Sequence, residues 1–295
     1  MFDRKKIVVL IHEKDEGFYR IHYFIHRLMQ EWESIGLQVE VARGLGQLEN
    51  ADALIPHIDL TVLPEEYTAV YRRYPVVINR QLHDISKQAI SQALVQKGDS
   101  YRGPVIVKTN YNSGGIPERF LLPTGRFHLP NKWGFRSRIA SKLEQRLLGW
   151  KRVKTLMSYP VFDSLDDVPA GVFENPRLVV ERFLPEVRRG HYCCRHYLFF
   201  GDKAQNRIVY SSDRIVKGAT IVDTESLPNE PALERYRSRL GLDFGRLDYV
   251  MTEDGPVVFD INRTPAYRTD EEFFTTAAPI LAQGLARLLG QPEHP

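Results

Sequence analysis

The sequence predicts an α+β protein, with a Rossmann-like parallel α/β lobe at the N-terminus and a body built on antiparallel strands. Two observations carry this. Over the first third of the chain, short apolar runs alternate with segments of helical period, as in a small parallel sheet with helices on its faces. Further on, Gly245 to Pro265 sets two strand-like runs on either side of Glu253-Asp254-Gly255, as in an antiparallel hairpin. The expected divisions are an N-terminal lobe over 1–83, a central lobe over 84–180 and a C-terminal lobe over 181–295.

In chain order, Ile7 to Ile11 is a continuous apolar run, as in a strand covered on both faces. Phe18, Ile21, Phe24, Ile25, Leu28, Met29 and Trp32 recur at helical spacing, and Gly36 ends that helix. Leu37 to Ala42, Ala53 to Ile58 and Val76 to Ile78 read as the next three strands, with Pro64 opening a short helix between the last two. Gly44 and Gly46 lack a third glycine and follow the second strand, so they make no dinucleotide fingerprint. Asp84 is expected to cap a helix running to Gln96, with Gly98 as its stop and Lys87 solvated on its polar side. Val105 to Val107, Leu178 to Val180 and Tyr197 to Phe200 read as buried strands.

Composition narrows the class. The chain has 295 residues, enough for two or three lobes, and its 43% hydrophobic and 26% charged residues are ordinary for a globular protein. A net charge of +3 does not call for nucleic acid. No apolar run approaches the ~20 residues that cross a bilayer. Met1 to Lys6 is charged and lacks a signal-peptide profile, and the adjacent Cys193 and Cys194 point to opposite faces of a strand rather than to each other. A cytoplasmic protein without disulfides is the expectation. The segment Asn131 to Lys154 carries eight basic residues and one acid, Glu144. It reads as a lid, a docking face for an acidic acceptor, or a solvated helix face.

The hairpin is the most informative segment. A three-residue loop ending on Gly255 pairs Thr252 with Pro256, Val250 with Val258, Asp248 with Asp260 and Arg246 with Asn262. One face then carries Arg246, Asp248, Asp260 and Asn262; Leu247, Tyr249, Val257, Phe259 and Ile261 form the core face. Two carboxylates directly opposed repel each other, and a hard cation relieves that. Two carboxylates and an amide oxygen suit Mg²⁺, with positions left for phosphate and water. Pairing of the carboxylates with Arg246 is the alternative. Upstream, Val105 to Lys108 is an apolar strand ending in lysine, followed by Thr109 to Gly115. Ser113, Gly114 and Gly115 let backbone N–H groups approach an anion, and Lys108 reaches the same phosphates.

Taken in this order, the segments resemble the ATP-grasp superfamily over roughly residues 80–270. The resemblance implies that Lys87 and Lys108 are the two nucleotide-phosphate lysines. It implies that Glu181, Arg182, Phe183 and Leu184 form the hinge under adenine, with Glu186 at the ribose. Arg195 sits on the following strand, and Arg214 and Lys217 face the triphosphate. Asp248, Asp260 and Asn262 take the metal, and Arg246 stabilises an oxyanion. The pattern departs from the family at three points: Asp260 replaces a usual glutamate, Lys87 and Lys108 are close in sequence, and Cys193 stands near a usual acidic ribose ligand.

The implied cofactors are ATP and one or two Mg²⁺ ions, with Mn²⁺ as a substitute. The implied partners are a small-molecule carboxylate and an amine or thiol, without membrane or nucleic acid; a homodimer is compatible with the sequence. The implied reaction is ligation through an acylphosphate, with Arg263 and Thr264 touching substrate. A small-molecule kinase and a nucleotide-binding scaffold with a basic docking face are the alternatives.

Overall fold

A computed structural model describes residues 5–122, 149–154, 156, 158–267 and 271–290. Most of the basic segment 131–154 lies outside the described residues. The N-terminal strands are β1 (Lys6–Ile11), β2 (Gln38–Arg43), β3 (Ala53–Pro56) and β4 (Val76–Val77), all parallel in the order β2-β1-β3-β4. The apolar run of β1 is buried from Ile7 to Ile11, as its sequence requires.

Helix α1 (Ile25–Ser34) begins seven residues later than the periodicity suggests, because the segment before it is held by tertiary hydrogen bonds. Phe24 N–H donates to the Pro265 carbonyl, Tyr267 N–H donates to the His22 carbonyl, and Tyr23 bridges Ala266. Phe18 and Phe24 are still buried, but from turns. Helix α2 (Glu65–Ala69) follows Pro64.

The expected helix from Asp84 to Gln96 reduces to one turn, α3 (Lys87–Ile90). Residues 91–96 instead stitch two sheets together. Gln92 N–H donates to the Val258 carbonyl, and Val95 N–H donates to the Val180 carbonyl. This backbone pairing outcompetes a helix whose isolated stability is marginal. One of the two sheets is β6-β5-β7, made of β5 (Val105–Thr109), β6 (Val161–Phe162) and β7 (Leu178–Arg182), all antiparallel. The other has the order β11-β10-β9-β12-β13, with β8 (Glu186–Arg188) also on β9. Its members are β9 (His191–Phe200), β10 (Lys203–Ser211), β11 (Ile221–Leu227), β12 (Phe244–Thr252) and β13 (Gly255–Asn262). Helices α4 (Ile116–Leu121), α5 (Ala170–Phe173), α6 (Pro231–Arg239), α7 (Glu271–Ala282) and α8 (Gly284–Leu288) complete the described elements. None is long and apolar enough to cross a membrane.

One core cluster joins β1 and α1 to Leu198, Phe200 and Phe244 of the large sheet and to Phe274 and Leu281 of α7. Trp32 ties α1 to the end of α7 through a 3.0 Å hydrogen bond to the Ala282 carbonyl.

The hairpin has the expected pairing at its base and a different turn at its tip. Arg246 opposes Asn262 and Asp248 opposes Asp260, but Thr252 opposes Gly255 across a two-residue loop. A bulge at Phe259 restores the register, so Val258 faces Tyr249 and Phe259 turns away from the core. The expected core positions Val257 and Phe259 are thereby corrected: Val258 is the buried residue.

Candidate functional site

Between the β6-β5-β7 sheet and the large sheet lies a cavity of about 290 Å³. At one end, Ile106, Phe183, Leu184, Ile215 and Val250 form an apolar slot beside Glu181 and Arg182. The backbone here is anchored: Arg182 N–H donates to the Ala93 carbonyl at 2.7 Å and Phe183 N–H to that of Pro104 at 2.8 Å. Glu181 is 1% exposed. Its Oε2 accepts from Lys108 Nζ at 2.7 Å, while its Oε1 is buried without a hydrogen-bond partner among the described residues. A buried acceptor without a donor is costly, and a ligand amine would satisfy it. Lys108 leaves β5 toward this carboxylate and lies 4.4 Å from the centroid of the Phe259 ring, which the bulge has turned into the cavity.

Lys87 was expected to be solvated; it is 2% exposed. With α3 only one turn long, its side chain enters the cavity and reaches Asp260 Oδ1 at 3.1 Å and the Tyr111 carbonyl at 3.3 Å. Burial opposes the charged ammonium, but Asp260 outweighs it and the Lys87 pKa is raised. Across the hairpin, Arg246 grips Asp248 with both arms, Nε to Oδ1 at 2.7 Å and Nη2 to Oδ2 at 3.0 Å. Burial works against the guanidinium and Asp248 raises its pKa. Asn262 stands opposite Arg246, its Oδ1 accepting from Thr264 N–H at 2.9 Å. The opposed carboxylates are thus each neutralised by a protein cation. Among the described residues no group of three or more His, Cys, Asp or Glu forms a metal cage. The donor set of two carboxylates and an amide oxygen still fits Mg²⁺, provided that phosphate or water oxygens supply the remaining positions.

The structure brings Lys87, Lys108, Glu181, Arg182, Phe183, Leu184, Arg214, Lys217, Arg246, Asp248 and Asp260 to one cavity. Ser113, Gly114 and Gly115 are not in its lining. They form a tight turn, with φ of 47°, 72° and 77°, behind Tyr111, whose carbonyl meets Lys87. Asn262 also stands outside the lining.

Four more of the expected site residues, Glu186, Arg195, Arg263 and Thr264, lie outside the cavity lining. Arg195 forms an ion pair with Glu186 at 2.6 Å, and Glu186 also accepts from Met251 N–H at 3.2 Å. Neither residue is in the cavity lining. Arg263 is buried outside the cavity lining, with its guanidinium 2.6 Å from the Leu60 carbonyl and 2.9 Å from that of Leu82. Thr264 donates to Asp59 Oδ1 at 2.9 Å, inside a hydrogen-bonded chain that ends on Tyr23.

Sequence reasoning missed His196 and Arg207, which line the cavity beside Asp248. Strand register is the signal that finds them, since His196 lies opposite Asp248, and Arg207 opposite His196. His196 is held neutral, its pKa lowered well below the ordinary value by burial and by Arg246 and Arg207. Both cysteines are free and buried, and both border the cavity.

Neither a protein-family model nor a curated protein matches the sequence. Solved structures do. The ATP-grasp ligase PsnB, complexed with precursor peptide PsnA2 and AMPPNP, is similar over 98% of this chain and 99% of that chain, at a TM-score of 0.53 and 13% identity. PsnB complexed with a phosphomimetic variant of a minimal precursor, Mg and ADP is similar over 96% and 98%, at a TM-score of 0.52 and 12% identity. With the likeness running over nearly the whole of both chains, this chain has the ATP-grasp fold.

Proposed function

We propose that the protein is an ATP-dependent ligase that activates a small-molecule carboxylate as an acylphosphate for attack by an amine or thiol. The observation that carries this reading is a single cavity that joins an apolar slot, with the orphan acceptor Glu181 Oε1, to an opposed carboxylate pair among buried cations. Phosphoryl transfer is mainly a matter of placement and charge neutralisation, and this lining supplies both. Glu181 and the Arg182-Phe183-Leu184 backbone hold the adenine. Lys87, Lys108, Arg214 and Lys217 bind phosphate oxygens, with the turn of Ser113, Gly114 and Gly115 behind them. Asp248, Asp260 and Asn262 would hold Mg²⁺, which would offset phosphate charge when bound. The substrate carboxylate displaces ADP from the γ-phosphorus, and the nucleophile then displaces phosphate from the acyl carbon. Arg246, held by Asp248, donates to the oxyanion formed in that second step.

Oxygen bookkeeping tests the reaction. A substrate carboxylate carrying heavy oxygen passes one labelled atom to inorganic phosphate, since the C–O bond breaks when the nucleophile attacks. A kinase acting on a hydroxyl releases none, so unlabelled phosphate from a turned-over, labelled carboxylate overturns the proposal. Calorimetry with AMPPNP tests the site separately. Binding is expected to require Mg²⁺ and to weaken at least ~10-fold in Asp248→Asn and Asp260→Asn, because a charged ligand oxygen is lost in each.

A further inference from the structure

Three cation–carboxylate pairs of the described residues line the cavity, and they differ in how they are held. Lys108 meets Glu181 at 2.7 Å. Arg246 meets Asp248 through two hydrogen bonds, and the two residues share one face of β12, so they move together. Lys87 meets Asp260 through one hydrogen bond, at 3.1 Å, from a separate element one turn long. The Asp260 side chain is the most open of the three carboxylates, 26% exposed against 17% for Asp248 and 1% for Glu181. The other acceptor of Lys87 is the Tyr111 carbonyl, which immediately precedes the turn of Asn112, Ser113, Gly114 and Gly115. The backbone ties that stretch to α3 as well: Lys87 N–H donates to the Asn110 carbonyl at 3.1 Å, and Gln88 N–H to Asn110 Oδ1 at 2.8 Å. An ammonium that joins a carboxylate to a backbone carbonyl occupies oxygen acceptors of the kind a hard divalent cation takes.

We infer that Lys87 stands in for a divalent cation at Asp260, so that the hairpin takes metal and nucleotide phosphate cooperatively. The inference rests on the proposed nucleotide site and gives Lys87 two successive partners in it, first Asp260 and then a phosphate. Charge is the reason. On the hairpin, Asp248 and Asp260 are already balanced by Arg246 and Lys87, so a divalent ion arriving alone meets a neutral group and is repelled by an ammonium 3.1 Å from its ligand. A phosphate changes both terms: it offers the ammonium another anion and adds negative charge beside the carboxylates. Lys87 yields and Arg246 does not, because a single bond on a flexible, unbranched stem breaks more readily than a two-armed grip within one strand. Asp260 is then free for the ion, and the Tyr111 carbonyl at the head of the glycine turn is released with it. Each ligand raises the affinity of the other by the same factor, since binding linkage is reciprocal.

Water-proton relaxation enhancement, which registers Mn²⁺ held on a protein, tests this on the full chain with and without AMPPNP. The unaltered protein is expected to hold Mn²⁺ at least ~10-fold more tightly with AMPPNP than without it. Lys87→Met is expected to hold Mn²⁺ without nucleotide at least ~10-fold more tightly than the unaltered protein, because Asp260 is left to the ion. Adding Asp260→Asn to Lys87→Met is expected to abolish that gain. Arg214→Met removes a lining cation that makes no ion pair with Asp248 or Asp260, and it is expected to change Mn²⁺ affinity by less than about threefold. Equal Mn²⁺ affinity of the unaltered protein with and without bound AMPPNP overturns the inference, and this comparison decides the matter even if Lys87→Met fails to fold. No gain in folded Lys87→Met, an equal gain in Arg214→Met, or a gain that survives Asp260→Asn also overturns it. AMPPNP binding without a gain in Lys87→Met overturns the role of Lys87 and leaves the nucleotide reading standing. A gain in Lys87→Met without AMPPNP binding by either protein upholds the stand-in at Asp260 and overturns the nucleotide reading.

Discussion

Lys87 and Lys108 each neutralise a carboxylate, but the two carboxylates differ in their access to water. The Glu181 side chain is 1% exposed and that of Asp260 is 26% exposed. Removing a cation from a carboxylate that water cannot reach strands a buried charge; the other can rehydrate. Lys108→Met is therefore expected to cost roughly 3–5 kcal/mol of stability, and Lys87→Met no more than about 2 kcal/mol. Urea unfolding measures both, and a larger loss for Lys87→Met reverses the assignment. His57 gives a pH signature. It is 1% exposed, neither ring nitrogen has a hydrogen-bond partner among the described residues, and burial lowers its pKa to about 3. Between that value and the ordinary 6.5 the unfolded chain binds more protons than the folded one, so stability is full above this window and lost as pH falls through it. The loss from this group is roughly 2 kcal/mol between pH 7.5 and 5. His57→Phe, which keeps the edge contacts to Phe18 and Tyr23, is expected to flatten that part of the curve. An unchanged pH profile of urea midpoints removes His57 as the cause. Asp248 and Lys108 were legible in the sequence because short-range pattern placed them, on a hairpin and at a strand exit. The burial of Lys87 and the position of Arg207 depend on pairings across distant segments, which leave no local trace.

At the scale of elements, the hairpin owes its carboxylate pair to two backbone adjustments. The bulge at Phe259 offsets the short turn, so that Asp248 and Asp260 remain opposed. The close approach of β13 to β12 at its base depends on Gly245, where a Cβ would come within 2.8 Å of the Asn262 carbonyl oxygen. That oxygen belongs to a paired strand and cannot move aside cheaply. Gly245→Ala is expected to cost roughly 1–3 kcal/mol and to shift Asn262 away from its partners. The measurements are the urea midpoint and, on the folded fraction, the Mg²⁺ concentration that supports half-maximal AMPPNP binding. An unchanged midpoint together with unchanged Mg²⁺ dependence contradicts the packing argument. The sequence identified the hairpin and its base pairing because alternation and turn residues are local signals. It misread the tip because a shorter loop plus a bulge leaves the same residues opposed at the base. It misread 84–96 as a helix because the hydrogen bonds of Gln92 and Val95 to β13 and β7 are tertiary.

At the scale of the whole molecule, Arg263 joins the hairpin to the segments that follow strands of the N-terminal sheet. Its guanidinium donates to the carbonyls of Leu60, Thr61, Leu82 and His83, from the segments that leave β3 and β4. Burial lowers its pKa to about 10, which leaves it charged at neutral pH. The same two regions share an apolar core in which Phe200, Phe244 and Phe274 pack with β1 and α1, so they are coupled by packing as well as by this fork. Replacing Arg263 with Met removes the donor from four carbonyls at once, and the expected loss is roughly 3–5 kcal/mol. Because the shared core remains, the loss is expected as one displaced transition rather than as separate unfolding of the N-terminal sheet and its helices. With Trp133 and Trp150 replaced by Phe, Trp32, buried in α1 and bonded to the end of α7, reports on that core by fluorescence, while far-ultraviolet circular dichroism reports on all elements. Coincident urea midpoints for the two signals, both moved down, are the expected result. A fluorescence transition that separates from the dichroism transition shows that Arg263, and not the shared core, couples the hairpin to the N-terminal sheet. An unmoved midpoint shows that the four carbonyls find other donors and that the fork contributes nothing net.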